Sequence, residues 1–147
     1  MTAKPKAGKA ALQRMLDAEE FIRPWRFRIV SVGDGTVTVV IPLRKALLRP
    51  GGIVNGPALM AAADVVLWLA IKARHGIGYD ALTSDLNTAF LRPAKNVPVY
   101  CTGRILRAGR RRDRAGAESD HRVASFAQAS IVTVSSHHSR SPDCSCS

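Results

Sequence analysis

Asp64 is the residue of this sequence whose surroundings point most clearly to chemistry. It lies between Ala63 and Val65 in a long apolar run, and no charged residue lies within a full helical turn of it. An ionised carboxylate is rarely buried without a partner, because an unpaired buried charge costs on the order of several kcal/mol. One interpretation is structural, with Asp64 paired to a strand arginine or capping a buried backbone group. The other, which we favour, is a general base or nucleophile in an apolar cleft.

A glycine-rich turn, residues 51–57, leads into the same apolar run. Its glycines, Gly52 and Gly56 among them, allow a ligand to approach the backbone closely. Asn55 suits the N-cap of a helix and Pro57 suits the first helical turn. The free N–H groups of a first turn, together with the helix dipole, favour an anion or an oxyanion. Asp64 follows Asn55 by nine residues, so the sequence predicts a donor site and a carboxylate on one helix.

Arg92 and an arginine-rich segment further along the chain are candidates for contact with phosphate. Arg92 precedes Pro93 at the end of a strand pattern, and residues 104–114 contain six arginines, including Arg107 and Arg110. A guanidinium group binds phosphate in a bidentate manner. The alternative for both is a solvated basic surface. Nucleic acid is a further alternative for the cluster, but the interleaved stacking aromatics and the recognised binding motifs are missing.

Several other chemistries are not expected from this sequence. The cysteines are Cys101, Cys144 and Cys146, an odd number with two at the last positions. Neither a disulfide framework nor a zinc site follows from that set, even with the scattered histidines. Ser84 does not lie in a nucleophile elbow. We therefore expect no metal and no cofactor, and a reducing, cytoplasmic setting.

One long helix and a set of strands must position these residues. Residues 57–74 predict a helix that is apolar, and therefore buried, on all sides. A shorter helix is predicted over residues 11–21, where Pro24 ends it. Alternating patterns predict strands at 25–31, 36–41, 82–91, 97–106 and 121–134. Residues 109–120 have the length of a strand but no large apolar residue. The predicted fold class is α+β, with an antiparallel sheet of about five to six strands wrapped around one long central helix.

Length and composition place these elements in one domain. The chain has 147 residues, of which 46% are hydrophobic and 22% are charged, as in globular proteins. Its formal net charge is +11, concentrated in the first ten residues and in 104–114. We predict a flexible basic tail at 1–10, the domain at 11–134 and a low-complexity, disordered tail at 135–147. The longest apolar stretch, 57–71, is too short for a membrane span and contains Asp64, and no signal peptide is expected.

Two motifs resemble a known family once these features are combined. LRPGGIVNGP at 48–57 precedes Asp64 at the spacing described, and TSDLNTAFLRPA follows at 83–94. Together they resemble hotdog-fold acyl-CoA thioesterases of the phenylacetyl-CoA thioesterase-like family, over about residues 20–110. In this resemblance Asp64 matches the catalytic acid, and Gly56 matches a backbone N–H donor to the thioester carbonyl. Asn55 stands where the family usually has histidine, and Pro57 has no N–H to donate.

The resemblance also implies an activity and an assembly. It implies hydrolysis of acyl-CoA in a homodimer or homotetramer, with Asp64 of one chain facing Gly56 of the other. Asn55 is then a candidate side-chain donor. The residues expected to contact the substrate are Gly52, Arg92, Arg107 and Arg110. A non-catalytic acyl-CoA-binding or interaction protein of the same fold is the alternative.

Overall fold

Six strands form one antiparallel sheet around a long helix in the computed structural model, which describes residues 3–107, 112–120 and 125–133. The helices are α1 (Lys9–Ala18) and α2 (Gly56–His75). The strands are β1 (Arg28–Gly33), β2 (Thr36–Ile41), β3 (Leu48–Arg49), β4 (Ile53–Val54), β5 (Ala81–Phe90), β6 (Val99–Arg107), β7 (Arg112–Asp120) and β8 (Ser125–Thr133). The sheet order is β1-β2-β6-β7-β8-β5, and β3 and β4 form a separate short hairpin. The predicted α+β class with one central helix is confirmed.

Helix α2 forms the centre of the core, and its ends agree with the sequence prediction to within one residue. The Asn55 side chain caps its start, and Gly76 ends it with a φ of 107° and an N–H bond to Lys72 O. Twelve of its 20 residues are buried. Such a helix gains stability mainly from packing, because a run of alanine and branched apolar residues removes most of its surface from water.

Small residues in the middle of the sheet bring α2 close to it. A Cβ atom added at Gly103 of β6 would lie 2.8 Å from Val66 Cγ1 and 3.0 Å from the Val66 carbonyl oxygen. Gly103 is paired with Ala117 of β7, and both Ala115 and Ala117 are buried. The segment that lacks large apolar residues forms the inner strand β7. Small residues suit this strand because α2 passes close to the sheet here and leaves no room for larger ones.

The structure corrects three predicted boundaries near the N-terminus. Helix α1 begins at Lys9 and ends at Ala18, earlier than predicted for 11–21. Residues Arg23–Trp25 form a 3-10 turn, so the strand predicted at 25–31 begins only at Arg28. The segment before α1 is attached to α2, since Lys6 and Ala7 donate their N–H groups to Ala73 O. The 135–147 tail, like Cys144 and Cys146, lies outside the described residues.

One edge of the sheet is covered by side chains of α1, and the other edge is exposed. Along the β1 edge, Gln13 of α1 accepts the Ile29 N–H at 2.8 Å and donates to Phe27 O, and Lys9 Nζ donates to Val30 O. Strand β5 at the opposite edge pairs with β8 on one side and is exposed along most of its length. An unprotected long edge is a ready template for another strand. Association is therefore expected at β5 and not at β1.

Helix α2 is also long and apolar enough to cross a membrane, by length and composition alone. The mean hydropathy of its most apolar window is 1.5. However, 67% of that window is buried inside the fold. A core helix meets the same criterion, and this burial identifies α2 as one.

Lys72 near the end of α2 is a buried cation whose removal should destabilise the fold. Its Nζ donates to Ile77 O at 2.7 Å and to Tyr79 O at 2.9 Å, which holds the loop that leads into β5. Because each carbonyl left unpaired costs about 1–3 kcal/mol, we expect Lys72→Met to lower the free energy of unfolding by about 2 kcal/mol or more. Urea denaturation measures this, with the exposed Lys45→Met as control. Equal losses in the two variants would contradict the role of Lys72.

Candidate active site

Asp64 is half-buried and holds a short hydrogen bond to the edge strand. Thr83 Oγ1 donates to Asp64 Oδ1 at 2.6 Å. Asp64 forms no salt bridge with any residue of the described segments, where the ion pair found is Lys72–Asp80. Among the described residues, Asp64 is therefore not paired with a strand arginine. The surface beside Asp64 is open in the single chain.

A bulge in β5 lies directly beside this bond. The pairing of β5 with β8 shifts register between Thr83 and Asp85, so Ser84 is the extra residue. A bulge re-aims the side chains around it and is frequent next to active sites. Strand β5 then runs back along α2, from Thr83 beside Asp64 to Phe90 beside Gly56.

One face of α2 is open in the single chain, so the predicted burial on all sides would need a partner on this face. Pro57 and Met60 are exposed, and Ala61, Asp64 and Trp68 are only half-buried. These residues recur at helical spacing and so share one face. Within the described parts of the chain, no element covers this apolar face.

The start of α2 offers one backbone donor. Asn55 Oδ1 accepts the Ala58 N–H at 2.8 Å, and Pro57 has no N–H. Within the part of the chain that the structure describes, the Gly56 N–H has no protein partner. A free N–H at the positive end of a 20-residue helix is suited to a developing negative charge. Gly56, one of the predicted site residues, is therefore the donor that the fold leaves available.

Asn55 has both ends of its side-chain amide engaged. Besides the cap to Ala58, its Nδ2 donates to Leu47 O at 2.9 Å, and its backbone N–H donates to the same oxygen. The N-cap predicted from the sequence is confirmed. A role as oxyanion donor would have to use the remaining Nδ2 hydrogen.

The cap predicts what Asn55→Ala does. We expect the free energy of unfolding to fall by about 1 kcal/mol, because a helix N–H and Leu47 O lose their side-chain partner. Turnover per folded molecule should stay near that of the wild type. Chemical denaturation and activity at matched folded concentration measure the two effects. A loss of about 10²–10³ in kcat would instead assign Asn55 to the oxyanion.

Gly52 shapes the loop before the helix. Its φ is +71°, and an added Cβ would clash with the side-chain amide of Asn96. Its N–H donates to Arg49 O, and its carbonyl accepts the Asn96 N–H at 2.8 Å. Both backbone groups are thus used inside the loop, and no side chain larger than hydrogen fits at this position.

Phe90 and Thr83 are site residues that the sequence pattern does not single out individually. A Cβ added at Gly56 would lie 3.3 Å from Phe90 Cζ, so the Phe90 ring packs directly against the helix start while 53% of the residue stays exposed. Both residues lie in the 83–94 motif. The available signal was a predicted strand that follows the helix and carries a hydroxyl residue at its start.

The Gly56 N–H and Asp64 lie apart on the same helix. They are eight positions apart in the sequence. At 1.5 Å per residue this is about 12 Å along the helix axis. A C=O bond is about 1.2 Å long, and the attacking atom and the N–H donor each lie about 3 Å from its carbon and its oxygen. The two groups that act on one carbonyl can therefore be at most about 8 Å apart. Direct contact of both groups with one thioester is therefore not expected within a single chain.

Three arginines are predicted to contact phosphate, and the structure describes two of them. Arg92 is exposed and follows β5 two residues after Phe90, at the end of the strand that lies beside Gly56. Arg107 ends β6. Arg110 lies outside the described residues. In the described segments, no group of three or more His, Cys, Asp or Glu is close enough to hold a metal ion. Burial raises the pKa of Cys101 to about 12, so this thiol stays protonated and is not a nucleophile.

A family model and a related protein sequence both match this chain. Residues 51–117 match the sequence model of the thioesterase superfamily. A candidate esterase of Thermoplasma volcanium is 32% identical over 99 residues, which cover 67% of this chain and 74% of that protein.

Solved structures agree with this match. A candidate thioesterase of Ralstonia eutropha, described as related to phenylacetic acid degradation, has a TM-score of 0.72 at 27% identity and covers 84% of this chain and 98% of its own. A thioesterase of Haemophilus influenzae has a TM-score of 0.82 at 17% identity, over 94% of this chain and all of that one. The latter shows the shared fold alone. The hotdog fold implied by the motifs is confirmed.

Proposed function

Because this chain belongs to the thioesterase superfamily, we propose that it hydrolyses acyl-CoA thioesters, with Asp64 as general base or nucleophile. The observation that carries the proposal is the half-buried Asp64 carboxylate, held at 2.6 Å by Thr83 on a helix face that the single chain leaves open. A carboxylate fixed in one orientation beside an open apolar face is suited to activate a water molecule or to attack a carbonyl carbon.

The Gly56 N–H is the proposed oxyanion donor. As water or Asp64 attacks the thioester carbon, negative charge moves to the carbonyl oxygen, and a free N–H at the helix start stabilises it. Collapse of this intermediate breaks the C–S bond, and the CoA thiolate leaves and takes up a proton. If water attacks and gives its proton to Asp64, the second product is the carboxylic acid. If Asp64 attacks, the acyl group stays on Asp64 as an anhydride, which a water molecule then hydrolyses to the acid and the free carboxylate. Phe90 packs against Gly56 and, on this proposal, shields the oxygen from water.

The proposed site is completed by a second copy of the chain. Gly56 and Asp64 of one chain are about 12 Å apart along the axis. Strand β5 has an unpaired edge beside the open face of α2. Antiparallel pairing of two β5 edges would join the sheets, cover that face and bring Asp64 of one chain towards Gly56 of the other. We therefore propose a homodimer, which a homotetramer would contain as a unit.

The remaining predictions of the sequence concern the CoA moiety and the setting. Arg92 lies at the Gly56 end of β5 and is the proposed contact to CoA phosphates. Arg107 and Arg110 are proposed for the same role on the evidence of their charge. Gly52 contributes by shaping the loop that leads to Gly56. A cytoplasmic location, where acyl-CoA is available, stays a prediction.

A thioester panel tests the activity. We expect the protein to release free CoA thiol from at least one of a short, a medium and an aromatic acyl-CoA. The thiol is measured by its reaction with a chromogenic disulfide. Sedimentation of the same sample should give a dimer or tetramer at micromolar concentration. A folded, oligomeric protein that binds acyl-CoA without turnover would instead establish the non-catalytic alternative. A stable monomer would remove the proposed interfacial site.

A further inference from the structure

A cavity of about 890 Å³ lies between α1, the 3-10 turn Arg23–Trp25 and β1. It is on the β1 edge of the sheet, opposite the β5 edge where Thr83 meets Asp64. Its volume falls within the range of about 300–1,000 Å³ that is typical of small-molecule sites. Its apolar lining consists of side chains that are nearly fully buried: Leu16, Ile22, Phe27 and Ile29. We call this cavity the α1–β1 groove.

Positive charge is concentrated around the groove without a matching negative charge. The charged residues that line it are four cations and one carboxylate: Lys9, Arg23, Arg26, Arg28 and Asp17. Asp17 Oδ1 accepts a hydrogen bond from Gln13 Nε2 at 2.9 Å. Across the described ranges, the ion pair found joins Lys72 and Asp80, so none of the four cations has a carboxylate within 4.0 Å.

The chain holds two of these cations together at a tight turn. Arg26 has a left-handed backbone conformation, with φ 55° and ψ 41°, and its N–H donates to Arg23 O at 3.1 Å. The turn therefore fixes the backbone at both arginines, and both residues line the groove. Like charges that converge over a low-dielectric floor focus a positive potential into the concavity. A ligand with more than one negative charge would relieve their mutual repulsion.

We propose that the α1–β1 groove binds a phosphorylated organic anion of nucleotide size. Three guanidinium groups favour phosphate, which they bind in a bidentate manner. The apolar side chains of the floor, Phe27 among them, are nearly fully buried, so a ligand would contact mainly the charged rim. The volume exceeds what an inorganic ion needs. Two sources share this chemistry, a free nucleoside diphosphate and the adenosine diphosphate portion of CoA.

Calorimetric titration of the full chain with ADP tests the proposal. We expect ADP to bind, to bind more weakly as ionic strength rises, and adenosine not to bind, because phosphate supplies the charge. The groove variant Arg23→Gln/Arg28→Gln should weaken ADP binding by about tenfold or more. The matched control Arg14→Gln/Lys45→Gln removes the same charge from exposed positions outside the groove and should change it less than about twofold.

A CoA titration separates the two sources. If the groove takes the CoA nucleotide, the wild type binds one more CoA per chain than the groove variant does. If only free nucleotides enter, the two proteins bind CoA with the same stoichiometry.

Four results would overturn the proposal: no ADP binding, equal binding of adenosine, equal weakening by the control variant, or binding of single-stranded RNA without binding of ADP. The test is independent of catalysis, since Asp64→Asn should bind ADP as the wild type does. Failure of the thioesterase proposal and failure of this one are therefore distinguishable.

Discussion

Asp64→Asn is expected to lower kcat for acyl-CoA hydrolysis by about 10²–10⁴-fold, with little change in KM. The substitution keeps the size of the side chain and an oxygen that accepts the Thr83 hydroxyl, but it removes the base. Substrate binding needs no proton acceptor, so the effect belongs to the chemical step. Steady-state kinetics on the best thioester of the panel measure both constants.

A charge-matched control makes the Asp64 result specific. Asp34→Asn removes a carboxylate from the turn between β1 and β2, which lies by Arg74 at the C-terminal end of α2, and should leave kcat unchanged. Arg74 is about 15 Å along the helix axis from Asp64. Sedimentation must show that Asp64→Asn keeps the oligomeric state of the wild type. A folded, oligomeric and fully active Asp64→Asn protein would refute the mechanism. The binding-protein alternative would then need a measurable affinity for acyl-CoA.

Gly56→Pro is expected to lower kcat by about 10²–10³-fold relative to Gly56→Ala, because only proline removes the N–H. Both variants add a Cβ against Phe90, 3.3 Å from its Cζ, so this packing change is common to the pair. Proline is accepted at the first position of a helix, and Asn55 has a ψ of 149°, which suits a residue before proline. Equal kcat values in the two variants would show that the Gly56 N–H does not stabilise the oxyanion.

The same two variants decide whether the site is shared between chains. In a mixed dimer of an Asp64→Asn chain and a Gly56→Pro chain, one of the two interfacial sites carries both intact groups, and the other carries both defects. Random mixing gives about half mixed dimers, so co-expression should restore about a quarter of wild-type activity. A site within one chain would recover nothing. Mixing the purified homodimers without exchange of chains is the control.

The sequence by itself determined the elements that depend on local pattern. The long helix followed from an apolar run between the Asn55 cap and Gly76, and the structure ends α2 within one residue of the prediction. The position of Asp64 within that run marked it as a candidate base, and the two flanking motifs identified the family. These inferences hold because helix periodicity, caps and breakers act over a few residues.

Strand β7 shows where local pattern is insufficient. Its segment lacks large apolar residues, yet it lies between β6 and β8. Ala115 and Ala117 are buried there because α2 passes close to Gly103 of the neighbouring strand. The requirement for small side chains comes from a helix some fifty residues earlier in the chain, so no window of sequence contains it.

The functional site also needed the tertiary structure. Only the packing of β5 along α2 reveals that Thr83 bonds to Asp64 and that Phe90 packs against Gly56. The burial of α2 on all sides, expected from its apolar composition, is interrupted on the face that carries Asp64. The composition of a helix indicates how much of its apolar surface must be buried. The order of the strands determines which edge of the sheet stays open and where a second chain can bind. Here α1 protects the edge at β1 through Gln13, and the open edge at β5 lies beside the candidate base.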